Sequence, residues 1–150
     1  MPKQQPKKYL QTNLQQPAKR KSIVFFDGGC ALCRREIAHY RRLPGADGLH
    51  WIDIMQSHAV TAAYGLDRVT AMARFHVLDE SGQWQTGAWG FAELWSKLSG
   101  YRWLASTLRA LHLLPLLDRI YTHFARWRFR HRCSDGVCQI DRIKVNHGSS

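Results

Sequence analysis

The sequence predicts an α/β fold in which helices cover a mixed β-sheet. Over the first half of the chain, short apolar segments rich in β-branched and aromatic residues alternate with helix-like segments, which is typical of parallel strands joined by helices. Two further strand-like segments are separated only by a short polar turn, which indicates an antiparallel hairpin. With 150 residues, of which 45% are hydrophobic, the chain is long enough for one domain with a buried core.

The first four predicted elements form a β-α-β-α unit. They are a strand over 22–26, a helix over 30–43, a strand over 49–54 and a helix over 55–64. The first helix is expected because apolar residues recur at intervals of three and four, and the turn before it contains two glycines. The two strands should be parallel, with a right-handed crossover between them.

The second half is predicted to begin with a hairpin and to continue as helices. Its elements are strands over 72–78 and 83–86, followed by helices over 87–98, 101–113 and 115–130. Pro115 suits the first turn of the last helix, because proline has no N–H to leave unpaired there. The complete order is a β-α-β-α-β-β-α core with extra C-terminal helices.

The last predicted helix is amphipathic. We expect its apolar side chains to form a stripe that packs into the core: Leu116, Leu117, Ile120, Tyr121, Phe124 and Trp127. Arg119, His123, Arg126 and Arg130 should face the other way. That basic side is mostly solvated in such helices, although it could also meet a membrane surface or an acidic partner.

Two cysteines stand where the first strand passes into the first helix. The sequence Asp27-Gly28-Gly29 is strong turn chemistry, so the helix should begin at or just before Cys30. The amide groups and dipole of a helix N-terminus stabilise negative charge, which favours Cys30 as a thiolate. Cys33 lies on the same side of the first turn and can approach Cys30. A Cys-x-x-Cys pair in this context predicts a thioredoxin-like redox site.

The roles that follow are an attacking Cys30 and a resolving Cys33, which exchange a disulfide with a substrate. Gly28 and Gly29 should serve the backbone by permitting a tight turn or the close approach of a substrate. Two other interpretations of the same spacing stay open: a zinc or iron–sulfur module, and a pair of buried small apolar residues.

The pattern Asp27-x-x-Cys30-x-x-Cys33 after an apolar strand resembles the DCC family of thiol-disulfide oxidoreductases, which is named for these three residues. Further segments follow in the family's order over residues 22–132: His50-Trp51-Ile52-Asp53-Ile54, Phe75-His76-Val77-Leu78-Asp79, Thr86-Gly87-Ala88 and the Trp-rich helical part. The resemblance implies a thioredoxin-like fold and a redox role on a protein or low-molecular-weight thiol or disulfide. It also suggests Asp27 as a base for Cys33, although Asp27 could equally be a turn or capping residue.

One departure from the broader thioredoxin fold concerns proline. No proline lies between Pro44 and Pro115, so the backbone that faces the cysteines, near Met72, should be trans. Without the proline ring, metal capture becomes easier than in a typical thioredoxin. Arg34 and Arg35 could hold a thiolate or an anionic substrate such as glutathione, but adjacent arginines on an exposed turn are usually solvated.

A second cysteine pair, Cys133 and Cys138, follows the last helix and should lie outside the family resemblance. It could close a disulfide loop, exchange electrons with the first pair, or complete a four-cysteine zinc site. We favour an auxiliary redox pair and expect neither a metal nor a cofactor. The eight histidines show no metal-ligand spacing.

The net charge of +11 resides mainly in the two ends of the chain. Residues 1–21 carry six lysines and arginines and no acid, and we expect them to form a disordered arm. Residues 133–150 would form a tail after the domain at 22–132. The basic ends could make weak contact with a membrane surface or an acidic partner, but nucleic-acid binding is not expected, because Tyr9 is the sole aromatic residue of the arm.

No segment has the continuous apolar run of a secretory signal or of a bilayer-spanning helix. We therefore expect a cytoplasmic protein, in which cysteines are more often redox or metal groups than structural disulfides.

Overall fold

The computed structural model describes residues 20–132 and confirms the α/β fold. Its strands are β1 (Ser22–Phe26), β2 (Leu49–Asp53), β3 (His76–Leu78) and β4 (Trp84–Thr86). They form one mixed sheet in the order β2-β1-β3-β4. Strand β1 pairs with β2 in parallel and with β3 in antiparallel orientation, and β3 and β4 form an antiparallel pair. The predicted parallel pair and the predicted hairpin are both present.

Six α-helices and one short 3₁₀ helix (Ala46–Gly48) complete the described chain. The α-helices are α1 (Ala31–Tyr40), α2 (His58–Ala63), α3 (Arg68–Ala73), α4 (Ala88–Lys97), α5 (Arg102–Ala110) and α6 (Leu114–Arg132). Helix α1 lies in the segment that connects β1 to β2, and α2 follows β2, as the predicted β-α-β-α unit requires. Helices α5 and α6 are the predicted C-terminal additions.

Helix α3 was not predicted, and the third strand is shorter than expected. The sequence predicts a strand over 72–78, but Met72 and Ala73 end a helix that begins after Asp67. The Asp67 side chain accepts a hydrogen bond from the backbone N–H of Thr70 at 3.0 Å, which satisfies one unpaired amide of the first turn. This cap sets the start of α3 locally, and the strand begins only at His76.

Strand β1 is buried along its whole length because apolar layers cover both faces of the sheet. Val24 and Phe26 belong to one core cluster, which also contains residues of α1 and α4. Ile23 and Phe25 belong to a second cluster, which contains residues of β2 and α3. The central strand therefore leads from the core directly into the turn that carries the cysteines.

Helix α6 packs through a different face from the one predicted. Leu114, Ala125 and Arg128 are buried, whereas Leu116 and Ile120 are 55% and 60% exposed. Trp127 and Phe124 are exposed as well, so the prediction of a core stripe is wrong for these four residues. Leu117 and Tyr121 do pack against core clusters.

Polar contacts hold the helix in this orientation. Asp118 accepts hydrogen bonds from Arg74 at 2.5 Å and from the Ala88 amide at 3.1 Å. The Tyr121 hydroxyl accepts one from the Phe75 amide at 2.7 Å. These buried or half-buried polar partners replace the apolar contacts that periodicity alone would favour.

Several predictions lie outside the described residues. These are the structures of the basic arm up to residue 19 and of the tail from residue 133, together with the second cysteine pair. Within the part that is described, no helix combines the length and apolarity needed to cross a bilayer.

Candidate active site

The site begins at the turn between β1 and α1. The Asp27 carboxylate accepts a hydrogen bond from the Gly29 amide at 2.9 Å, and its backbone carbonyl accepts one from the Cys30 amide at 3.2 Å. Asp27 is buried and acts as a turn residue in the structure, which is one of its two predicted roles. Its use as a base remains a prediction.

Asp53 fixes the same turn from the neighbouring strand and was not identified from the sequence. One oxygen of its carboxylate accepts hydrogen bonds from the Gly28 amide at 3.0 Å and the Met55 amide at 2.9 Å. A Cβ atom at position 28 would collide with this carboxylate, so the close approach requires glycine. The sequence feature that could have indicated this role is its position, since Asp53 stands at the carboxyl end of β2, the strand parallel to β1.

Arg34 also supports the turn. Its guanidinium donates a hydrogen bond to the Gly28 carbonyl at 2.8 Å, so in this structure it contacts the backbone and not a thiolate. Arg35 is exposed on α1. The arginine that does contact a site sulfur comes from elsewhere in the chain.

The two cysteines lie at the start of α1, as the sequence predicts. Cys30 occupies the N-cap position and is 8% exposed, whereas Cys33 is half-buried in the first turn. Both are free thiols, and their side chains interact through a hydrogen bond. The pair therefore has the proximity that dithiol–disulfide exchange requires, together with a helix N-terminus at Cys30.

Arg128 of α6 is the second residue that the sequence did not reveal. Its guanidinium donates hydrogen bonds to the Cys33 sulfur at 2.9 Å and to the Met72 carbonyl at 2.8 Å. The side chain is only 9% exposed, and its Nε has no partner among the described residues. The backbone around Met72 is trans, like every described peptide bond.

Burial and charge act against each other at Cys33. Burial raises the pKa of the Cys33 thiol to about 12, and the positive charge of Arg128 opposes this rise. Burial alone would lower the pKa of Arg128, but its interactions with Cys33 and Tyr121 outweigh that effect and raise it. Near neutral pH Cys33 is thus a protonated thiol beside a fixed cation.

A cavity of about 260 Å³ opens beside these groups. Cys33, Asp27 and Arg128 lie in its wall together with Glu36, whose pKa is raised by burial. Half of its lining residues are aromatic, among them Phe26, Phe75, Phe91, Trp95, Tyr40 and Tyr121. Cys33 lies in the wall of this cavity, and Cys30 does not.

A comparison with known protein families gives a match. The family model described as DCC1-like thiol-disulfide oxidoreductase matches residues 24–134, which is most of the chain. The chain belongs to this family. Proteins of this family are described as thiol-disulfide oxidoreductases. The matched range of this DCC1-like protein includes Asp27, both site cysteines and Arg128, and it reaches Cys133, which was expected to lie outside.

Among curated proteins, this DCC1-like chain is similar to an uncharacterized chloroplastic protein of Arabidopsis thaliana. The two are 25% identical over 116 residues, which cover 76% of this chain and 54% of that protein. The chain therefore spans about half the length of that relative. No solved structure gives a significant match to the chain.

The structure lends no support to the metal-binding alternative. Within residues 20–132, no cluster of three or more histidine, cysteine or acidic side chains is arranged to hold a metal ion. Cys133 and Cys138, which a four-cysteine site would need, lie outside this range.

Proposed function

We propose that this protein catalyses thiol-disulfide exchange in which Cys30 attacks and Cys33 resolves. The observation that carries the assignment is the contrast between the two sulfurs. Cys30 stands at the N-cap position of α1, where a helix N-terminus stabilises negative charge, whereas the half-buried Cys33 has a pKa raised to about 12. Of the two sulfurs, Cys30 is therefore assigned the attacking role.

The proposed reduction of a substrate proceeds in two steps. The Cys30 thiolate attacks one sulfur of a substrate disulfide, forms a mixed disulfide and expels the other sulfur as a thiolate. Cys33 then loses its proton and attacks the Cys30 sulfur, which releases the second substrate thiolate. The substrate gains two electrons, and the protein is left with a Cys30–Cys33 disulfide. The reverse sequence oxidises a dithiol substrate.

The second step needs help because Cys33 must ionise in a buried site. Arg128 already donates a hydrogen bond to this sulfur, so its charge favours the thiolate as it forms. Asp27 lies in the wall of the same cavity, and we propose that it accepts the proton, directly or through water. Arg128 is then a catalytic residue of the resolving step.

The proposed substrate is a protein or low-molecular-weight disulfide or thiol, and no cofactor is needed for the exchange. A cytoplasmic location is part of the proposal, since cytosolic cysteines are usually kept available for redox work. We also retain Cys133 and Cys138 as an auxiliary redox pair that could exchange electrons with the first pair.

Trapping with single cysteine variants tests the assignment. Cys33→Ser should accumulate mixed disulfides through Cys30, visible as higher-mass species on non-reducing gels. Cys30→Ser should accumulate none, because Cys33 remains a protonated thiol. A Cys133→Ser, Cys138→Ser background keeps the tail from contributing. Equal trapping by both variants would show that the roles are wrongly assigned.

A further inference from the structure

The exposed apolar residues of this protein are concentrated in its C-terminal helices. Of the eleven large apolar side chains that are exposed in the described chain, seven lie between residues 103 and 127. Five of them follow one another at intervals of three or four residues on and just before α6: Leu113, Leu116, Ile120, Phe124 and Trp127. This spacing places them on one face of the helix, which we call the outer stripe.

Cationic side chains accompany the outer stripe. Residues 102–132 contain seven arginines and a single acid, Asp118. Asp118 is already paired with Arg74, and Arg128 is buried at Cys33. Five of the other arginines are exposed: Arg102, Arg109, Arg119, Arg126 and Arg130. Three of these, on α6, lie with His123 on a row beside the outer stripe, at intervals of three or four residues.

We propose that the outer stripe and its arginines bind the surface of an anionic lipid bilayer. A helix with exposed Trp, Leu and Ile beside a row of arginines has the composition of helices that lie in the plane of the headgroups. The apolar side chains enter the acyl boundary, while the arginines reach the lipid phosphates. Since α6 cannot span the bilayer, it binds on the surface.

The arginines favour an anionic bilayer over a second copy of the chain as the partner of the outer stripe. Two α6 helices facing each other would bring their arginine rows together, with no unpaired acid in residues 102–132 to compensate. An anionic bilayer offers an apolar acyl layer to the outer stripe and negatively charged headgroups to the arginine row beside it. Acidic side chains of a partner protein could pair with the arginines, but they would not bury the five apolar side chains of the outer stripe.

The position of the outer stripe connects it to the redox site. Ile120 and Phe124 border an apolar groove of about 270 Å³ between α4 and α6. This groove shares Phe91, Trp95, Tyr121 and Phe124 with the cavity beside Cys33. A bilayer bound to the outer stripe would therefore lie next to the cavity beside Cys33. The relevance of this position to catalysis rests on the proposed thiol exchange. The membrane contact itself does not depend on that chemistry.

Vesicle co-sedimentation of the full chain tests the proposal. The protein should bind vesicles that contain phosphatidylglycerol and should bind pure phosphatidylcholine vesicles far more weakly. Ile120→Ser should reduce the partition coefficient about tenfold, because one large apolar side chain leaves the acyl boundary. Val69→Ser is the matched control, since Val69 is 56% exposed against 60% for Ile120, and it should bind like the unchanged protein.

Charge variants test the second half of the contact. In the double variant Arg119→Gln, Arg126→Gln, the vesicle partition coefficient should fall roughly fivefold for each arginine removed. Added salt should likewise lower the partition coefficient of the unchanged protein. The control pair Arg35→Gln, Arg42→Gln removes two exposed arginines on and just after α1 and should bind normally. All these positions are exposed, so thermal unfolding should be nearly unchanged and will report any misfolded variant.

Several results would overturn the proposal. It fails if anionic vesicles do not bind the protein, or if Ile120→Ser and Val69→Ser behave alike, since the basic N-terminal arm would then carry the contact. It also fails if sedimentation shows a dimer that Ile120→Ser abolishes, or if the protein binds polyglutamate while it ignores vesicles. None of these outcomes bears on cysteine trapping, so the two proposals stand or fall separately.

Discussion

Arg128 donates a hydrogen bond to the sulfur of Cys33 across 95 residues of sequence. A second hydrogen bond, to the Met72 carbonyl, fixes the guanidinium at the end of α3. The guanidinium is buried and makes both contacts at once, so a positive charge is fixed beside this thiol. The C-terminal helix is therefore part of the redox site and not only an addition to the core.

Arg128→Met should slow the resolving step. The substitution removes the positive charge and the hydrogen bond but keeps much of the side-chain volume, so the Cys33 thiolate becomes harder to form. Hydrogen bonds to charged groups are worth about 1.5–3 kcal/mol, which corresponds to roughly a 10- to 100-fold slower release of a mixed disulfide. Rapid-quench measurement of that release provides the test. Arg130→Met, an exposed neighbour on α6, is the control.

The reactivity of Cys33 should follow its raised pKa. The ordinary thiol value is 9.0, and burial raises the pKa of Cys33 to about 12. Since the thiolate is the reactive form, alkylation of Cys33 in a Cys30→Ser protein should be slow at neutral pH. Its rate should keep rising with pH beyond 9. A plateau at or below pH 9, in protein that is still folded by circular dichroism, would contradict the burial of this thiol.

The two roles of Asp27 can be separated by substitution. Asp27→Asn keeps a side-chain oxygen that can accept the Gly29 amide hydrogen bond but removes the basic carboxylate. If Asp27 accepts the proton of Cys33, this variant should resolve mixed disulfides at least tenfold more slowly while unfolding at nearly the same temperature. Normal resolution by Asp27→Asn, with loss of stability only in Asp27→Ala, would leave Asp27 with the turn role alone.

Gly28→Ala should destabilise the turn. The added Cβ would meet the Asp53 carboxylate, which must then give up its hydrogen bond to the Gly28 amide. Leaving such a partly buried pair unmade costs about 1–3 kcal/mol in the free energy of unfolding. Urea denaturation measures the difference. Gly48→Ala is the matched control, because a Cβ there meets no atom within 4 Å.

The elements that could be predicted are those specified by neighbouring residues. The strand Ser22–Phe26 and the start of α1 follow from a β-branched run, two glycines and the Cys-x-x-Cys spacing. The short helix before His76 was missed because its start depends on a single cap, Asp67. Local sequence patterns thus predict the Cys-x-x-Cys motif and most of the sheet, but not every boundary of a helix or strand.

Contacts between distant segments could not be predicted in the same way. Periodicity identified the apolar stripe of α6, but it does not state which face meets the domain. Asp118 and Arg128 decide that through polar partners on other helices and strands. For the same reason the sequence did not reveal the contacts that Asp53 and Arg128 make in the site.

The most direct test is a redox titration of the Cys30/Cys33 pair. Protein carrying Cys133→Ser and Cys138→Ser would be equilibrated in glutathione buffers of increasing oxidised fraction, alkylated, and counted for free thiols by mass spectrometry. The account predicts that both thiols disappear together in one two-electron transition, with a single intramolecular disulfide as the product. The account would be contradicted if the thiols remained alkylatable at every potential. It would also be contradicted if each formed a mixed disulfide with glutathione and no Cys30–Cys33 disulfide appeared.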